Sequence, residues 1–414
     1  MTMTKTAIAG FLGALVLTAI AACSKTPEPE PDQAALRYIQ ARDVCADGGR
    51  DRTPDLDAAI KACGTVIDTA GAAPSDVADA LKVRGKLSLA NGRYDAAIED
   101  YTRLIRLGVR DAATFKVRAD AYRRISKCDL AVADYDRAIR LNPKSAEAVE
   151  SRGDAFVCLK DYAKAILDYN RATEIGPMRA DLAMKRGNAF VRTGDPDRAI
   201  DAYGDAIALR PRDSAAYVAR GDVAMAQARY EPARADFDAA IALNPNLSSA
   251  VRQRGLIHLY QRDYAAAVQD FSRAVQLDPK SSQSYDDRGT AYMREGDYDK
   301  AIEDYGKAIG LDPGFAAAFD HRGNAFSQKG YYEQAIPDYD RAILLAPALA
   351  SAIVGRGNAY LIRGDYDRAI RDYDRATELD ASNAQVQHNR QQARVEKAKR
   401  DAAKGIAIER NLTN

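Results

Sequence analysis

The sequence contains no tryptophan, only three histidines and five cysteines, and almost no net charge. Its 60 basic and 59 acidic side chains nearly cancel, whereas a dedicated nucleic-acid binder carries a basic excess. An apolar fraction of 47% is enough to build a core, which excludes wholesale disorder. No Cys/His cluster has metal-ligand spacing, and we find no glycine-rich phosphate loop and no nucleophile–base arrangement. We therefore predict no enzyme, no metal, no cofactor and no nucleic-acid partner.

The chain begins with a segment that is typical of export signals. Sixteen uncharged residues run from Ala7 to Ala22, fewer than the roughly 20 that span a bilayer. Such a run suits the apolar region of a secretory signal peptide. Ile20, the two alanines that follow it and Cys23 resemble the lipobox of bacterial lipoproteins.

This resemblance implies that residues 1–22 are removed and that Cys23 carries lipid on its sulfur and its new amino terminus. Ser24 resembles the default outer-membrane sorting signal. We therefore expect the protein in the bacterial cell envelope, lipid-anchored in the outer membrane and facing the periplasm. The alternative is an uncleaved membrane anchor in which Cys23 occurs by chance. Residues 23–34 comprise the lipidated cysteine and a tether. Prolines alternate with acidic residues between Ser24 and Asp32, which predicts an extended spacer of about 30 Å.

The body of the chain repeats at an interval of 34 residues without an insertion. Arg-Gly pairs recur at Arg84-Gly85, Arg152-Gly153, Arg186-Gly187, Arg220-Gly221, Arg254-Gly255, Arg288-Gly289, Arg322-Gly323 and Arg356-Gly357, and Arg118-Ala119 fills the one gap. Alanine recurs at Ala97, Ala131, Ala165, Ala199, Ala233, Ala267, Ala301, Ala335 and Ala369. Four residues after each alanine stands an aromatic residue, at Tyr101, Tyr135, Tyr169, Tyr203, Phe237, Phe271, Tyr305, Tyr339 and Tyr373.

Residues 78–383 thus resemble nine tetratricopeptide repeats, which are 34-residue helix–turn–helix units. The resemblance implies an all-α solenoid, a right-handed superhelix in which each hairpin buries its apolar faces on its neighbours. We number positions within each repeat from Ala78 of the first. Residues 35–77 resemble a degenerate capping repeat, because Leu56 to Cys63 mimics the second-helix pattern.

Residues 384–414 form the last predicted segment. Ala384 to Arg410 carries seven basic and three acidic residues and resembles the polar helix that ends such arrays. The alternative is a nucleic-acid or membrane contact through its net positive charge.

Position seven holds arginine where the family usually has leucine, and an aspartate stands sixteen residues later in eight repeats. These are Asp100, Asp134, Asp168, Asp236, Asp270, Asp304, Asp338 and Asp372, while repeat four has Ala202. We interpret the two positions as a series of structural ion pairs. The alternative is a row of free arginines that binds an anionic ligand.

Four cysteines remain once Cys23 is assigned to lipid, and an exported protein usually pairs its cysteines. Cys45 and Cys63 lie on the two presumed helices of the N-terminal cap. Cys128 begins the second helix of repeat two and Cys158 ends the first helix of repeat three. We predict disulfides Cys45–Cys63 and Cys128–Cys158. The alternative is a redox or metal role, for which no CxxC spacing is present.

In tetratricopeptide proteins the first helices line a groove, and positions two, five, nine and twelve point into it. Here groove positions five and nine hold Lys82/Lys86, Lys116/Asp120, Glu150/Asp154, Met184/Asn188, Val218/Asp222, Arg252/Leu256, Asp286/Thr290, Asp320/Asn324 and Val354/Asn358. They are candidates for binding a ligand or, alternatively, solvated surface. The clustered lysines and asparagines of the carboxylate clamp are absent. His258 occupies an aromatic packing slot, and His321 stands near the groove.

Three functions are compatible with these features. We favour a lipid-anchored periplasmic scaffold or adaptor that binds proteins or peptides, with its oligomeric state open. The second is a subunit or assembly factor of an envelope secretion or exopolysaccharide export complex that contacts glycan or enzyme. Groove aromatics would favour glycan, but the groove positions hold none and Tyr260 lies only beside them. The third is an enzyme with an unrecognised site.

Overall fold

The computed structural model describes residues 33–48 and 55–412, with side chains as far as Ala403. Every regular element in these ranges is an α-helix, as the repeats predict. The chain divides into two compact units, residues 1–143 and 144–414. The predicted signal peptide, Cys23 and the tether as far as Asp32 lie outside the described residues.

The first unit contains six described helices, and consecutive helices pack as antiparallel neighbours. Their bounds are α1 Gln33–Gly48, α2 Leu56–Asp68, α3 Pro74–Ala90, α4 Tyr94–Arg106, α5 Ala112–Arg124 and α6 Cys128–Leu141.

The second unit contains fifteen described helices. Their bounds are α7 Ala146–Cys158, α8 Tyr162–Ile175, α9 Ala180–Thr193, α10 Pro196–Leu209, α11 Ser214–Ala226, α12 Tyr230–Leu243, α13 Ser248–Tyr260, α14 Tyr264–Leu277, α15 Ser282–Glu295, α16 Tyr298–Leu311, α17 Ala316–Gln328, α18 Tyr332–Leu345, α19 Ala350–Ile362, α20 Tyr366–Leu379 and α21 Ala384–Leu412. None of the helices in the described ranges is both long and apolar enough to cross a membrane.

Helices α1 and α2 lie in the segment that the sequence predicts to be a capping repeat. Cys45 of α1 and Cys63 of α2 are joined by a disulfide with an S–S distance of 2.05 Å, and both residues are buried. Cys128 and Cys158 are each disulfide-bonded as well. That these two cysteines pair with each other stays a prediction.

Each hairpin closes where a small residue on its first helix meets an aromatic ring on its second. In repeat seven a Cβ atom on Gly289 would lie 2.9 Å from Cε1 of Tyr305, so any larger residue would push the ring away. Ala301 and Tyr305 are buried on α16. Gly296 ends α15 with a φ of 86°, a backbone conformation that costs glycine little.

The predicted arginine–aspartate pairs are present in all eight repeats that carry both residues, so the structural interpretation is confirmed. Each aspartate is only 2–6% exposed and accepts one hydrogen bond from Nε and one from Nη2 of the same arginine. This bidentate geometry joins the two helices of each hairpin. The pairs are Arg84–Asp100, Arg118–Asp134, Arg152–Asp168, Arg220–Asp236, Arg254–Asp270, Arg288–Asp304, Arg322–Asp338 and Arg356–Asp372.

In several repeats the same guanidinium also reaches the preceding hairpin through Nη1. Nη1 of Arg254 lies 2.7 Å from Asp238, and Nη1 of Arg356 lies 2.6 Å from Asp340. Thr102 in the first unit accepts the equivalent hydrogen bond. One arginine therefore joins the two helices of its own hairpin and also binds the preceding hairpin.

Helix α21 occupies the place of the first helix of a further repeat. Its arginines and lysines lie against acidic residues of α20: Arg390 and Arg394 contact Asp374, and Lys397 and Arg400 contact Asp367. Val386 and Ala393 are buried. Since two aspartates of α20 pair with four basic residues of α21, this geometry supports the interpretation of α21 as a terminal cap.

Repeat four tests the contribution of the arginine–aspartate pair. There Ala202 replaces the aspartate, Arg186 contacts Asp205 instead, and Nε of Arg186 is buried without a partner. We expect Ala202→Asp to stabilise α9 and α10 by about 1 kcal/mol, because it supplies the missing acceptor. Asp304→Ala is the matched opposite change. It should lower the free energy of unfolding by about 3 kcal/mol, because it leaves the Arg288 guanidinium without its acceptor. Hydrogen exchange of α9–α10 and α15–α16 measures both effects. Unchanged protection in Asp304→Ala would contradict the structural role.

Candidate functional site

The predicted groove residues at position nine are bonded to the aromatic residue of their own hairpin. The tyrosine hydroxyl at position 24 reaches the polar side chain at position nine in six repeats. These contacts are Tyr135–Asp120 at 2.5 Å, Tyr169–Asp154 at 2.9 Å, Tyr203–Asn188 at 2.7 Å, Tyr305–Thr290 at 3.2 Å, Tyr339–Asn324 at 2.9 Å and Tyr373–Asn358 at 2.7 Å. Burial raises the pKa of Tyr203 and of Tyr339 to about 12, so both phenols stay protonated near neutral pH.

A second set of contacts joins the first helices of neighbouring repeats within the second unit. It involves positions two, five, six and nine, whereas the sequence-based list of groove residues covers positions five and nine. The bonds are Lys185 to Glu150 and Asp154, Gln253 to Asp222, Arg252 to Asp287, His321 to Asp286, Ser351 to Asp320 and Asn389 to Asn358. The polar groove residues are thus held in place by one another.

The other predicted groove residues lie in more varied surroundings. In the first unit Lys86 is exposed, Lys82 lies 3.7 Å from Asp79, and Lys116 forms an ion pair with Asp120. Met184 of the second unit packs against the apolar core. These positions do not share one arrangement.

One cleft in the second unit departs from this pattern. It has a volume of about 570 Å³ and lies between α13, α15 and α17. The residues that define it are Leu256, Leu259, Tyr260, Arg262, Arg294 and the pair Asp286/His321. Of these, Leu256 and Asp286 occupy groove positions. Arg262, Arg294 and Leu259 were not predicted as site residues from the sequence.

The acidic floor of the cleft is internally compensated. Nδ1 of His321 lies 2.9 Å from Asp286, and Nη1 of Arg252 lies 2.8 Å from Asp287. Burial disfavours the charged imidazole, but the hydrogen bond and charge of Asp286 outweigh it and raise the pKa of His321 above its ordinary value. Burial also disfavours the charged carboxylate of Asp287 and raises its pKa, although the hydrogen bond and charge of Arg252 act to lower it.

The described residues of this cleft form no cluster that could hold a metal ion. Within the part of the chain that the structure describes, no three His, Cys, Asp or Glu side chains converge as metal ligands. The arrangement is suited to recognition, because it combines apolar side chains with fixed charges and a concave surface.

Family comparisons agree with the repeat register. Models described as tetratricopeptide repeats match residues 53–113, 117–179 and 184–248, a further one matches 249–281, and another matches 316–349. A model described as TPR repeat matches 289–330 and 357–396. No curated protein matches the chain significantly.

Solved structures of repeat proteins are similar to parts of the chain. A tetratricopeptide repeat protein from Parabacteroides merdae is 20% identical, covers 60% of this chain and 99% of its own, and superposes with a TM-score of 0.50. The C-terminal part of a TPR repeat-containing protein from Cytophaga hutchinsonii is 18% identical over 57% of this chain and 97% of its own, with a TM-score of 0.47. YrrB, described as a TPR protein with an unusual peptide-binding site, is 22% identical over 45% and 97%, with a TM-score of 0.41. The first of these supports the fold.

The pair His321–Asp286 predicts a titration that can be measured. Because the folded-state pKa of His321 is raised, the stability it contributes is complete below its unfolded pKa of about 6.5 and is lost as pH rises through the folded value. We expect the His321 imidazole signal in NMR spectra to titrate above pH 6.5, and Asp286→Asn to move its midpoint downward. An unmoved His321 midpoint in Asp286→Asn would contradict the pairing.

Proposed function

Because the chain belongs to the tetratricopeptide repeat family, we propose that it is a membrane-anchored scaffold that binds proteins or peptides in the bacterial cell envelope. The observation that carries the proposal is the continuous row of first helices in the second unit. Bonds between neighbouring first helices hold their polar groove positions in one arrangement before any partner arrives. Such preorganisation lowers the entropic cost of binding an extended ligand.

The structure offers this surface without a competing catalytic arrangement among the described residues. Tyrosine hydroxyls and arginines that could serve as acids or anion sites are engaged within the hairpins. Repeats of this kind stack into extended binding surfaces. We therefore propose docking of a partner segment, and no chemical transformation, as the activity of the array.

The proposed location follows from the cysteines and the N-terminal segment. Cys45, Cys63, Cys128 and Cys158 are all disulfide-bonded, a state that persists in oxidising compartments. Cys23 alone is left over, and it stands at the end of the lipobox-like motif. We propose that its lipid anchors the protein in the outer membrane and that the proline-rich tether holds the repeats on the periplasmic side. A subunit or assembly factor of a secretion or polysaccharide export complex is one form such a scaffold could take.

Lipid attachment at Cys23 can be tested directly. Cells fed an alkyne-tagged fatty acid should label the wild-type protein and fail to label Cys23→Ser, and the variant should leave the membrane fraction. Ser24→Ala is the matched control and should keep both the label and the membrane association. Label on Cys23→Ser would show that another residue carries the lipid. Loss of the label with continued membrane retention would indicate an uncleaved anchor or a tightly held membrane partner.

Partner binding can be tested in living cells. A photoreactive benzoylphenylalanine at Asn188 or at Asn358 reports on first helices at two distant groove positions. We expect irradiation to crosslink an envelope protein that mass spectrometry identifies. The same residue at Arg371, exposed on a second helix, is the control and should give no such product. Recovery of no envelope protein from either groove position would contradict the scaffold function.

A further inference from the structure

The cleft between α13, α15 and α17 lies at repeat six, whose residues at positions nine and 24 differ from those of most other repeats. At position nine, repeats two to five and repeats eight and nine carry Asp or Asn, whereas repeat six carries Leu256. At position 24 the same repeat has Phe271, which lacks the hydroxyl that would bond to a polar residue there. Both changes remove polarity from the groove at one point.

These substitutions build an apolar floor. Leu256 and Leu259 are half-buried and pack against the buried cluster of Ala267, Phe271 and Ala291. Tyr260 rises at the edge, 58% exposed, with its ring stacked 5.7 Å from that of Tyr230. A floor of leucines beside an exposed aromatic ring accommodates an aliphatic or aromatic side chain from a ligand.

Some charged side chains around the floor are paired within the protein, and others are free to contact a ligand. Asp286 and Asp287 are already paired with His321 and Arg252. Arg262 and Arg294 are exposed at the mouth, and no side-chain hydrogen bond or ion pair engages either of them among the described residues. The cleft therefore presents two uncommitted positive charges to a ligand, which complements carboxylates.

The backbone at Arg262 can accommodate glycine. Its φ is 64°, and the equivalent position has positive φ in all nine repeats, with glycine in five of them and Ser126, Lys160 and Ala228 in three others. Only repeat six has arginine at this position. A change to glycine therefore removes the charge and keeps a residue that suits the turn.

We infer that this cleft binds an extended peptide segment of a partner protein, in which an aliphatic or aromatic side chain lies next to aspartate or glutamate. The apolar side chain fills the floor over Leu256 and Leu259, and the flanking carboxylates contact Arg262 and Arg294. This inference rests on the proposed peptide-binding function and names the ligand class at one subsite. The aliphatic floor and the free arginines together favour an acidic peptide over a neutral glycan.

The test uses variants that restore what other repeats carry, so that the fold is preserved. Leu256→Asn with Phe271→Tyr reinstates the hydroxyl-to-asparagine bond of repeats four, eight and nine. Arg262→Gly with Arg294→Gln installs the glycine of five repeats and the residue that repeat eight has as Gln328. Arg212→Gln with Arg371→Gln removes two exposed arginines elsewhere in the same unit and is the charge-matched control. Circular dichroism and thermal unfolding should show all three as stable as the parent.

A displayed library of random 12-residue peptides is selected on the full-length protein, purified from membranes in detergent. We expect enriched peptides to carry an apolar residue beside Asp or Glu, and to bind both cleft variants at least tenfold more weakly than the parent and the control. Binding of the acidic peptides should also fall with rising salt.

The outcomes separate this inference from the function on which it rests. Enriched peptides that lack acidic residues, or that bind all variants within twofold, overturn the cleft assignment and leave peptide binding in place. A library that yields no binder counts against the cleft and against peptide recognition, while crosslinking to a folded envelope protein would still support a scaffold. A uronic-acid oligosaccharide that binds the parent and is lost in both cleft variants assigns the site to glycan and overturns the inference.

Discussion

A buried aspartate on the second helix is the strongest constraint in eight of the nine repeats. An unpaired carboxylate that is only 2–6% exposed would be costly, so in these repeats an arginine of the first helix must bind both of its oxygens. Next to that arginine is a glycine, and next to the aspartate is an aromatic ring that packs on the glycine. Two adjacent pairs of residues thus set both the charge contact and the closest approach of the helices. Repeat four shows that the packing contact alone is sufficient, since Gly187 and Tyr203 are retained where the aspartate is lost.

The groove surface is also held by bonds between residues of the repeats. Tyrosines that fill the hairpin core extend their hydroxyls to position nine, and residues at positions two, five and six bond to the next first helix. A ligand at such a position meets a side chain that is already oriented, and it can use the donors and acceptors that the internal bond leaves free. Positions that deviate from the repeat add contacts of a different chemistry to this regular surface. The cleft around Leu256 is the clearest deviation in the second unit, because apolar side chains and unpaired arginines meet there.

Parts of this arrangement were readable from the chain. Arginine and aspartate recur together at a constant separation, and that co-repetition predicted the ion pairs. Cys45 and Cys63 stood on two predicted antiparallel helices, and the structure joins them. The tyrosine contacts at position nine were not predicted. A sequence signal for them exists, because repeat six has both Phe271 in place of tyrosine and Leu256 in place of a polar residue at position nine. The bonds between first helices were also missed, because they depend on the rotation and spacing of neighbouring hairpins, which sequence periodicity does not specify. His321 was placed near the groove, but its partner Asp286 lies 35 residues away on the preceding first helix.

The sequence alone determined the repeat, its register, the helical fold and the residues that hold each hairpin, because these features recur nine times and depend on contacts at fixed separations. It also pointed to export and lipid attachment through a short motif at the N-terminus. Only the tertiary structure decided which polar groove residues are already engaged and which remain available. That distinction depends on where side chains from neighbouring first helices meet, and a difference of a few ångströms separates an internal bond from an open charge. Arg252 and Arg294 are both arginines on first helices, yet one is paired with Asp287 and the other stands at the mouth of the cleft.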